Sequence, residues 1–387
     1  MSLKYVGHPF ACVEVEAAAQ FDFLTRRTIC GINEIYKRLH LVSNIQQDTE
    51  GVVMATLKDV ARLANVDVST VSRALNNSAY VHPDTKAKIF VAVKKLSYQP
   101  NLLAKGLRQG KRNTIGVVVP SIKLTIFGEI AQNIEIEARN LGYGVMICNT
   151  MDDPDQEVEC LNRLRNGFVD GIIIASTGQN TRLIRDIRAS GISVVQLVRA
   201  QDKTISSVVA DYRHCAYQGV KHLLKKGCKH IGFINGSVEL IPYKERYIGY
   251  AKAMKEAKQK EAVSKSEVPR YDNYMDGYKG ANYLLDKHPA LDGVLTAVDM
   301  QGLGVLRAIK ERGLRVPDDV RVISLTGHSI GGMLETSMTS MEMPAKVLGQ
   351  RIAQMVVKDI EAETTLNQGL SIKNEVFKTA LVERETT

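Results

Sequence analysis

Two short stretches of the sequence carry residue types at spacings that could do chemistry. The first, "TGHSIGG" from Thr326 to Gly332, is a G-x-S-x-G pattern after the apolar run "VRVISLT". That is the arrangement that presents a nucleophilic serine in lipases and esterases, here Ser329. The second, "VSTVSRALN" from Val68 to Asn76, is apolar on one side and offers Ser69, Ser72, Arg73 and Asn76 on the other. These side chains bond to base edges and phosphates. One stretch predicts acyl transfer and the other nucleic-acid reading, and the surrounding elements decide between them.

A serine nucleophile of that type needs an acid and then a histidine later in the chain, because the histidine must take the serine's proton. The eight histidines are His8, His40, His82, His214, His222, His230, His288 and His328, and none follows Ser329. His328 is adjacent, and sequence neighbours on a turn usually point apart. Without a base the hydroxyl stays a weak nucleophile, so Thr326, His328 and Ser329 are expected to line a cleft. "QGLGVLRA" lacks the third glycine of a dinucleotide fingerprint, GxxxxGK[ST] is absent, and His222 and His230 lack metal-ligand spacing. No enzyme activity, metal or cofactor is expected.

The second stretch has better company. In "TLKDVARLANVDVSTVSRALN", Leu57, Val60, Ala61 and Ala64, then Val66, Val71, Ala74 and Leu75, fall at helical spacing. Asn65, Val66 and Asp67 form the turn between them, with Asp67 suited to cap the second helix. Two short helices joined this way are a helix-turn-helix, whose second helix enters the major groove. A third helix follows, with Asp84 as its expected cap and Ile89, Val93 and Leu96 as its inner stripe. In "YQPNLLAKGLRQGKRN", Asn101 can cap a short helix from Leu102 to Arg108, which Gly106 weakens by about 1 kcal/mol. A helix that short forms only when something stabilises it.

Charge is concentrated in the same region. The chain of 387 residues has a formal net charge of +9, and from Met54 to Arg112 eleven Lys and Arg face three Asp, a local excess of +8. A polyanionic partner fits that distribution. The six cysteines are widely spread with no CxxC pair, which predicts reduced thiols and a cytoplasmic protein. No apolar run reaches the ~20 residues a membrane helix needs, so no membrane partner is expected.

From Thr114 the pattern changes. "TIGVVVP", "GVMICNT", "DGIIIAST", "SVVQLV", "SSVVA", "HIGFING", "DGVLTA" and "VRVISLT" alternate with amphipathic helices. Continuous Val and Ile runs between helices predict parallel sheets covered on both faces. Ligands bind beyond the carboxyl ends of such strands, which makes Leu124, Thr125, Ile126 and Phe127, then Asp152, then Ser176 candidate contacts.

"LKDVARLANVDVSTVSRALN" followed by "YQPNLLAKGL" resembles the DNA-binding headpiece and hinge of the lactose-repressor and galactose-repressor family of bacterial transcription regulators. The resemblance runs from about Thr56 to the C-terminus. It implies base reading by Val68, Ser69 and Arg73, phosphate contacts by Thr70, Ser72 and Asn76, and hinge contacts by Asn101, Ala104, Lys105 and Leu107. Leu107 would be the wedge that enters the minor groove and kinks the DNA. Arg73, able to pair bidentately with guanine, is the strongest candidate for base specificity. Arg246, in "YKERYIGYAKAM", matches the arginine that commonly bonds the family's effector, and the resemblance adds Asp272, Val298, Asp299, Thr326 and His328. The chain departs from the family at Val298-Asp299, where Asn-Asp is frequent, and at Ser324, Leu325 and Thr326, where Gly-aromatic-Asp is common. The effector's identity is therefore not inherited.

The expected fold is an all-α helix-turn-helix headpiece with a hinge helix, then an α/β periplasmic-binding-protein-like core of two doubly wound parallel-sheet subdomains. Residues 1–53 are unassigned, with an upstream start-codon assignment expected, Met54 standing where family members begin, and an appended helix as the alternative. The headpiece spans 54–99, the hinge 100–112 and the core 113–387, divided into 113–200 with 342–372 and 201–341 with 373–387. The expected function is a repressor of carbohydrate-use genes that binds operator DNA as a homodimer and answers to a sugar or sugar phosphate. No heptad tail follows "TALVERETT", which favours a dimer over a tetramer. The alternatives are a catabolite regulator controlled by a phosphorylated carrier protein, and a sugar-binding protein or hydrolase on the same core.

Overall fold

A capping box starts the headpiece. In the computed structural model, which describes residues 55–76, 79–99, 111–167, 169–265, 272–327, 329–365 and 371–387, helix α1 is Leu57–Ala64. The Asp59 carboxylate accepts from the Thr56 backbone N–H at 2.9 Å, and the Thr56 hydroxyl accepts from the Asp59 N–H at 3.4 Å. These bonds satisfy two amide donors that a bare helix start leaves open. The helix ends at Asn65, whose φ of 52° is a left-handed conformation that asparagine tolerates. Helix α2, Val68–Asn76, starts on the Asp67 carbonyl, which accepts from Val71 N–H at 3.1 Å. Helix α3 is Pro83–Lys95. Its cap is His82 rather than Asp84, because Pro83, with no N–H to lose, takes the first helical position. Val60, Val71 and Ile89, all fully buried, pack with Ala61, Ala64, Ala74 and Ala92 into a small core of their own. Residues 100–110 of the expected hinge lie outside the described residues.

The remainder is a separate unit of two six-stranded sheets. The first sheet holds β1 (Thr114–Val119), β2 (Gly144–Asn149), β3 (Gly171–Ile174), β4 (Ser193–Leu197), β5 (Ser207–Ala210) and β11 (Asn374–Phe377), in the order β11-β5-β4-β3-β1-β2 and all parallel. The second holds β6 (Ile231–Asn235), β7 (Ala262–Lys265), β8 (Gly293–Thr296), β9 (Arg321–Gly327), β10 (Thr339–Glu342) and β12 (Ala380–Val382). Its order is β12-β10-β9-β8-β6-β7, antiparallel only at β12. Helices α4 (Thr125–Asn140), α5 (Pro154–Arg165), α6 (Thr181–Ala189) and α11 (Ala345–Thr365) flank the first sheet, and α7 (Tyr212–Lys225), α8 (Ile241–Glu256), α9 (Asn273–Lys287) and α10 (Asp299–Glu311) the second. Burial of Ile115, Ile130, Ile173, Leu348 and Ile352 on one face, and of Leu161, Leu164, Ile172 and Ile174 on the other, makes β1 and β3 continuous apolar runs. Each such side chain contributes roughly 1.5–3 kcal/mol.

The chain passes between the halves three times, after β5, β10 and β11. This shifts two expected boundaries. β5 pairs with β4, so the first crossover follows Ala210 instead of residue 200, and β11 pairs with β5, so Asn374–Phe377 belong to the first half. A four-residue run such as "SVVA" states that it is a strand; which sheet it joins depends on partners distant in sequence. The glycines of "QGLGVLRA" also find their role here. A Cβ on Gly304 would stand 2.0 Å from the Tyr274 carbonyl oxygen, so glycine lets α10 lie against the α9 backbone.

Candidate DNA-reading face and effector cleft

The side of α2 opposite its buried Val71 and Ala74 is the candidate reading face. Val68, Ser69, Arg73 and Asn76 are exposed, and Thr70 and Ser72 are half-buried. Asn76 donates from Nδ2 to the Ser72 carbonyl at 2.8 Å, which fixes its amide and turns Oδ1 outward as an acceptor. Arg73 makes no ion pair among the described residues, so its five donors are available to a partner.

The cleft lies where each sheet's strand order reverses, β1 against β3 and β6 against β8, which is where open α/β sheets bind ligands. An inner cavity of about 40 Å³ is lined from the first half by Leu124, Ile126, Phe127, Val198 and Arg199 and from the second by Pro242, Tyr243, Arg246, Val298 and Thr326, with Met343 at the crossover. Arg246 is 3% exposed. One terminal nitrogen donates to the Thr326 hydroxyl at 2.6 Å, and that hydroxyl donates on to the Ala297 carbonyl at 2.7 Å. Its guanidinium carbon lies 4.8 Å from the centre of the Tyr212 ring and 5.8 Å from that of Tyr243, close enough for cation–π attraction. Its Nε is buried and has no hydrogen-bond partner. Burial pushes the Tyr212 phenol up to about 12 and raises that of Tyr243, so both rings stay neutral. The Tyr212 hydroxyl donates to the Val198 carbonyl at 2.9 Å.

Arg199, at the carboxyl end of β4, pairs with Asp152 at the end of β2, and both side chains are 5% exposed. One terminal nitrogen of Arg199 donates to Asp152 Oδ1 and the other to Oδ2 at 2.8 Å, a two-pronged pair. Burial disfavours the Arg199 cation, and the Asp152 carboxylate more than offsets this, raising its pKa. Both partners sit at unusual backbone. Met151 and Asp152 have φ of 49° and 55°, and Val198 has φ of 62°, a conformation that costs a β-branched residue of order 1–3 kcal/mol. Beyond the ion pair an outer chamber of about 440 Å³ is lined by Asp152, Asp153, Pro154, Thr177, Gly178, Gln179, Gln201, Ser237, Glu239 and Leu240.

Residues 56–101 match the family model described as bacterial regulatory proteins, lacI family. Residues 112–380, more than half of the chain, match the model of periplasmic binding proteins and the sugar binding domain of the LacI family. The chain belongs to the LacI family. Among its relatives, the ribose operon repressor of Halalkalibacterium halodurans is 31% identical over 334 residues, 86% of this chain and 97% of that protein. The catabolite control protein A of Priestia megaterium is 30% identical over 318 residues, 80% of this chain and 93% of that one. In fold, the chain is similar to the lac repressor dimer bound to operator and the anti-inducer ONPF, with a TM-score of 0.75 at 24% identity, covering 86% of this chain and 99% of that one.

Among the effector contacts expected of this LacI-family protein, Leu124, Ile126, Phe127, Arg246, Val298 and Thr326 meet at the inner cavity, and Asp152 stands between it and the outer chamber. Thr125, the first residue of α4, lines neither. Ser176 is committed elsewhere. Its hydroxyl donates to the fully buried Glu157 at 3.1 Å, and its carbonyl accepts from Arg199 at 3.4 Å. Asp272 caps α9, accepting from Met275 N–H at 3.1 Å, and Asp299 is buried at the start of α10. His328, with the hinge residues Asn101, Ala104, Lys105 and Leu107, lies outside the described residues. Sequence reasoning missed Arg199, Tyr243 and Tyr212. An arginine directly after the apolar run "SVVQLV" was a usable signal, and Tyr243 stands three residues before Arg246, one turn away on the same helix face.

The esterase pattern has a different surrounding in this LacI-family chain. Ser329 opens a short 3₁₀ helix, Ser329–Met333, followed by β10, where a nucleophile elbow runs from strand directly into an α-helix. Among the described residues, no cluster of His, Cys, Asp and Glu could hold a metal ion, and no helix is long and apolar enough to cross a membrane.

Proposed function

We propose that the chain is a cytoplasmic, non-enzymatic, homodimeric repressor of carbohydrate-use genes, controlled by a small-molecule effector held between the core subdomains. The observation that carries this reading is the α2 face, which sets Val68, Ser69, Arg73 and Asn76 outward on a helix whose other side is the headpiece core. The relatives' names support the regulatory role, and the buried arginines and aromatic rings of the cleft support effector binding there. The effector shifts the equilibrium between two arrangements of the subdomains, which changes the spacing of the hinges across the dimer and hence the ease of hinge-helix folding on DNA. In operator titrations, affinity falls steeply as salt rises, as counterion release requires. Leu107→Ala abolishes tight operator binding while leaving weak, salt-sensitive binding to any duplex; retention of full operator affinity would remove the hinge wedge from the mechanism.

A second reading rests on the small inner cavity, about 40 Å³, and on the catabolite control protein among the relatives. Under it a phosphorylated carrier protein, rather than a free sugar, sets DNA affinity. Addition of that carrier in place of sugars to the same titration separates the two.

A further inference from the structure

The Asp152–Arg199 pair is a partition. Asp152 lines the outer chamber and Arg199 the inner cavity, so the two voids meet at an ion pair closed by two parallel hydrogen bonds. Left-handed backbone at Met151 and Asp152 on one side and at Val198 on the other aims these side chains at each other. Such conformations persist where surrounding structure over-determines them and cluster at ligand clamps.

The charge behind the partition is unbalanced. Arg246 has no carboxylate within ion-pair distance among the described residues, its Nε is buried with no partner, and Leu124, Ile126, Phe127, Val298 and Met343 wall the cavity it enters. A buried cation of that kind calls for a counter-charge with paired acceptors. Arg199 shares the cavity, and both guanidinium groups act on the Tyr243 hydroxyl. The one carboxylate at the partition is already engaged by Arg199, so it is not open to the hydroxyl pairs of a neutral sugar. The inner cavity, about 40 Å³, has room for a headgroup, and the outer chamber, about 440 Å³, for the body that carries it.

Resting on the reading of the cleft as an effector site, we propose that the effector is a polyol carrying a carboxylate or a phosphate, and that this anion takes Arg199 from Asp152 and bridges it to Arg246. Asp152 thus stands in for the ligand's anion in the empty protein and competes with it. The exchange swaps one ion pair for another, so the site tells an anion from a neutral sugar by whether Arg199 keeps a partner. The displaced carboxylate sits two residues before Pro154, the first residue of α5, so the exchange acts directly on the loop that starts a helix of the first half.

Calorimetry and thermal melting of the full chain test this, using inorganic phosphate, D-glucose, D-glucuronate, D-glucose 6-phosphate, D-ribose and D-ribose 5-phosphate as probes. The anionic members bind at least tenfold tighter than their neutral counterparts, and the uronate and phosphate arms tell which acid is preferred. Asp152→Asn removes the internal competitor, so inorganic phosphate raises the variant's melting temperature more than the wild type's. Arg246→Met, in an otherwise unchanged chain, abolishes phosphate-dependent stabilisation and serves as the second readout should Asp152→Asn fold poorly. A neutral sugar that binds as tightly as its acid, or anions that stabilise Asp152→Asn no more than wild type, would overturn the proposal and leave operator binding untouched. Anion binding with the expected variant pattern but no change in operator affinity would instead remove effector control and leave the anion site standing.

Discussion

Arg73→Ala separates base reading from every other contribution to DNA binding. Arg73 is exposed, lies in the last turn of α2 and makes no ion pair among the described residues. Its loss costs the fold little: alanine is at least as good a helix former, and the favourable meeting of its charge with the helix C-terminus is worth roughly 0.3–1 kcal/mol. The headpiece should therefore melt within about 0.5 kcal/mol of wild type, as exposed positions usually do. Against operator the expectation is different. A bidentate arginine–guanine pair discriminates by about 1–3 kcal/mol, roughly five- to 150-fold in affinity. Fluorescence anisotropy with operator and with scrambled duplex, each at several salt concentrations, reads both terms. The loss should fall on operator alone, with little change in the salt slope. An equal loss on both duplexes, with the slope reduced by about one, would make Arg73 a phosphate contact and refute its assignment as a base reader. Ile89→Ala is the control for indirect effects, since Ile89 is fully buried and its truncation costs about 2–5 kcal/mol. It weakens binding to both duplexes by unfolding the headpiece.

Three further outcomes are expected. Burial pushes the Asp202 carboxyl up, but the hydrogen bonds from Arg185 at 2.5 Å and Thr204 at 2.7 Å, with the Arg185 charge, together outweigh it and lower the pKa from 3.8 to about 2. A depressed pKa contributes stability above the unfolded value, here roughly 2 kcal/mol. That contribution is lost as pH falls from about 4 to about 2, so the urea-melt deficit of Asp202→Asn should shrink over that window, and a deficit independent of pH would refute the assignment. Gly304→Ala should destabilise the core by about 1–3 kcal/mol, because its Cβ meets the Tyr274 carbonyl at 2.0 Å; helix propensity alone gives the opposite sign, a gain near 1 kcal/mol, so the direction of the melting shift decides. Ser329→Ala should leave operator affinity unchanged and hydrolysis of a chromogenic ester at the level of buffer, whereas ester turnover lost on this substitution would establish a hydrolase.

Legibility in the sequence followed burial. Seven of the eight strands read as apolar runs are buried along most of their length, as β1, β3, β4, β6, β8 and β9 are at nearly every position; the eighth, β2, is exposed at Gly144, Ile147 and Asn149 and was legible from its apolar residue types alone. Like β2, the strands β7, β11 and β12 are sheet edges. Strands such as β11, "NEVF", half-exposed along its length, have no continuous run to give them away. The helix-turn-helix was legible because its core is local, α1 and α2 supplying adjacent segments of one pattern. The cleft was legible only at residues that follow strands. Arg199 met that criterion and was passed over, and its engagement with Asp152 across the first half could not be read at all, because a pair forty-seven positions apart leaves no periodicity. The commitment of the Ser176 hydroxyl to Glu157 was hidden for the same reason.

The three crossovers bear on how the protein is made. The headpiece is contiguous in sequence, with contacts between neighbouring helices, and can close as soon as Lys95 has cleared the ribosome. Neither half of the core is contiguous. The first sheet waits for α11 to cover it and for Asn374–Phe377 to complete its edge, and the second waits for Ala380–Val382 and for Thr386, whose buried hydroxyl donates to the Val322 carbonyl at 2.7 Å. During synthesis, then, a nascent chain carries a closed headpiece ahead of a core that is not yet complete, and a chain terminated within the last few tens of codons would be a reader without its regulator.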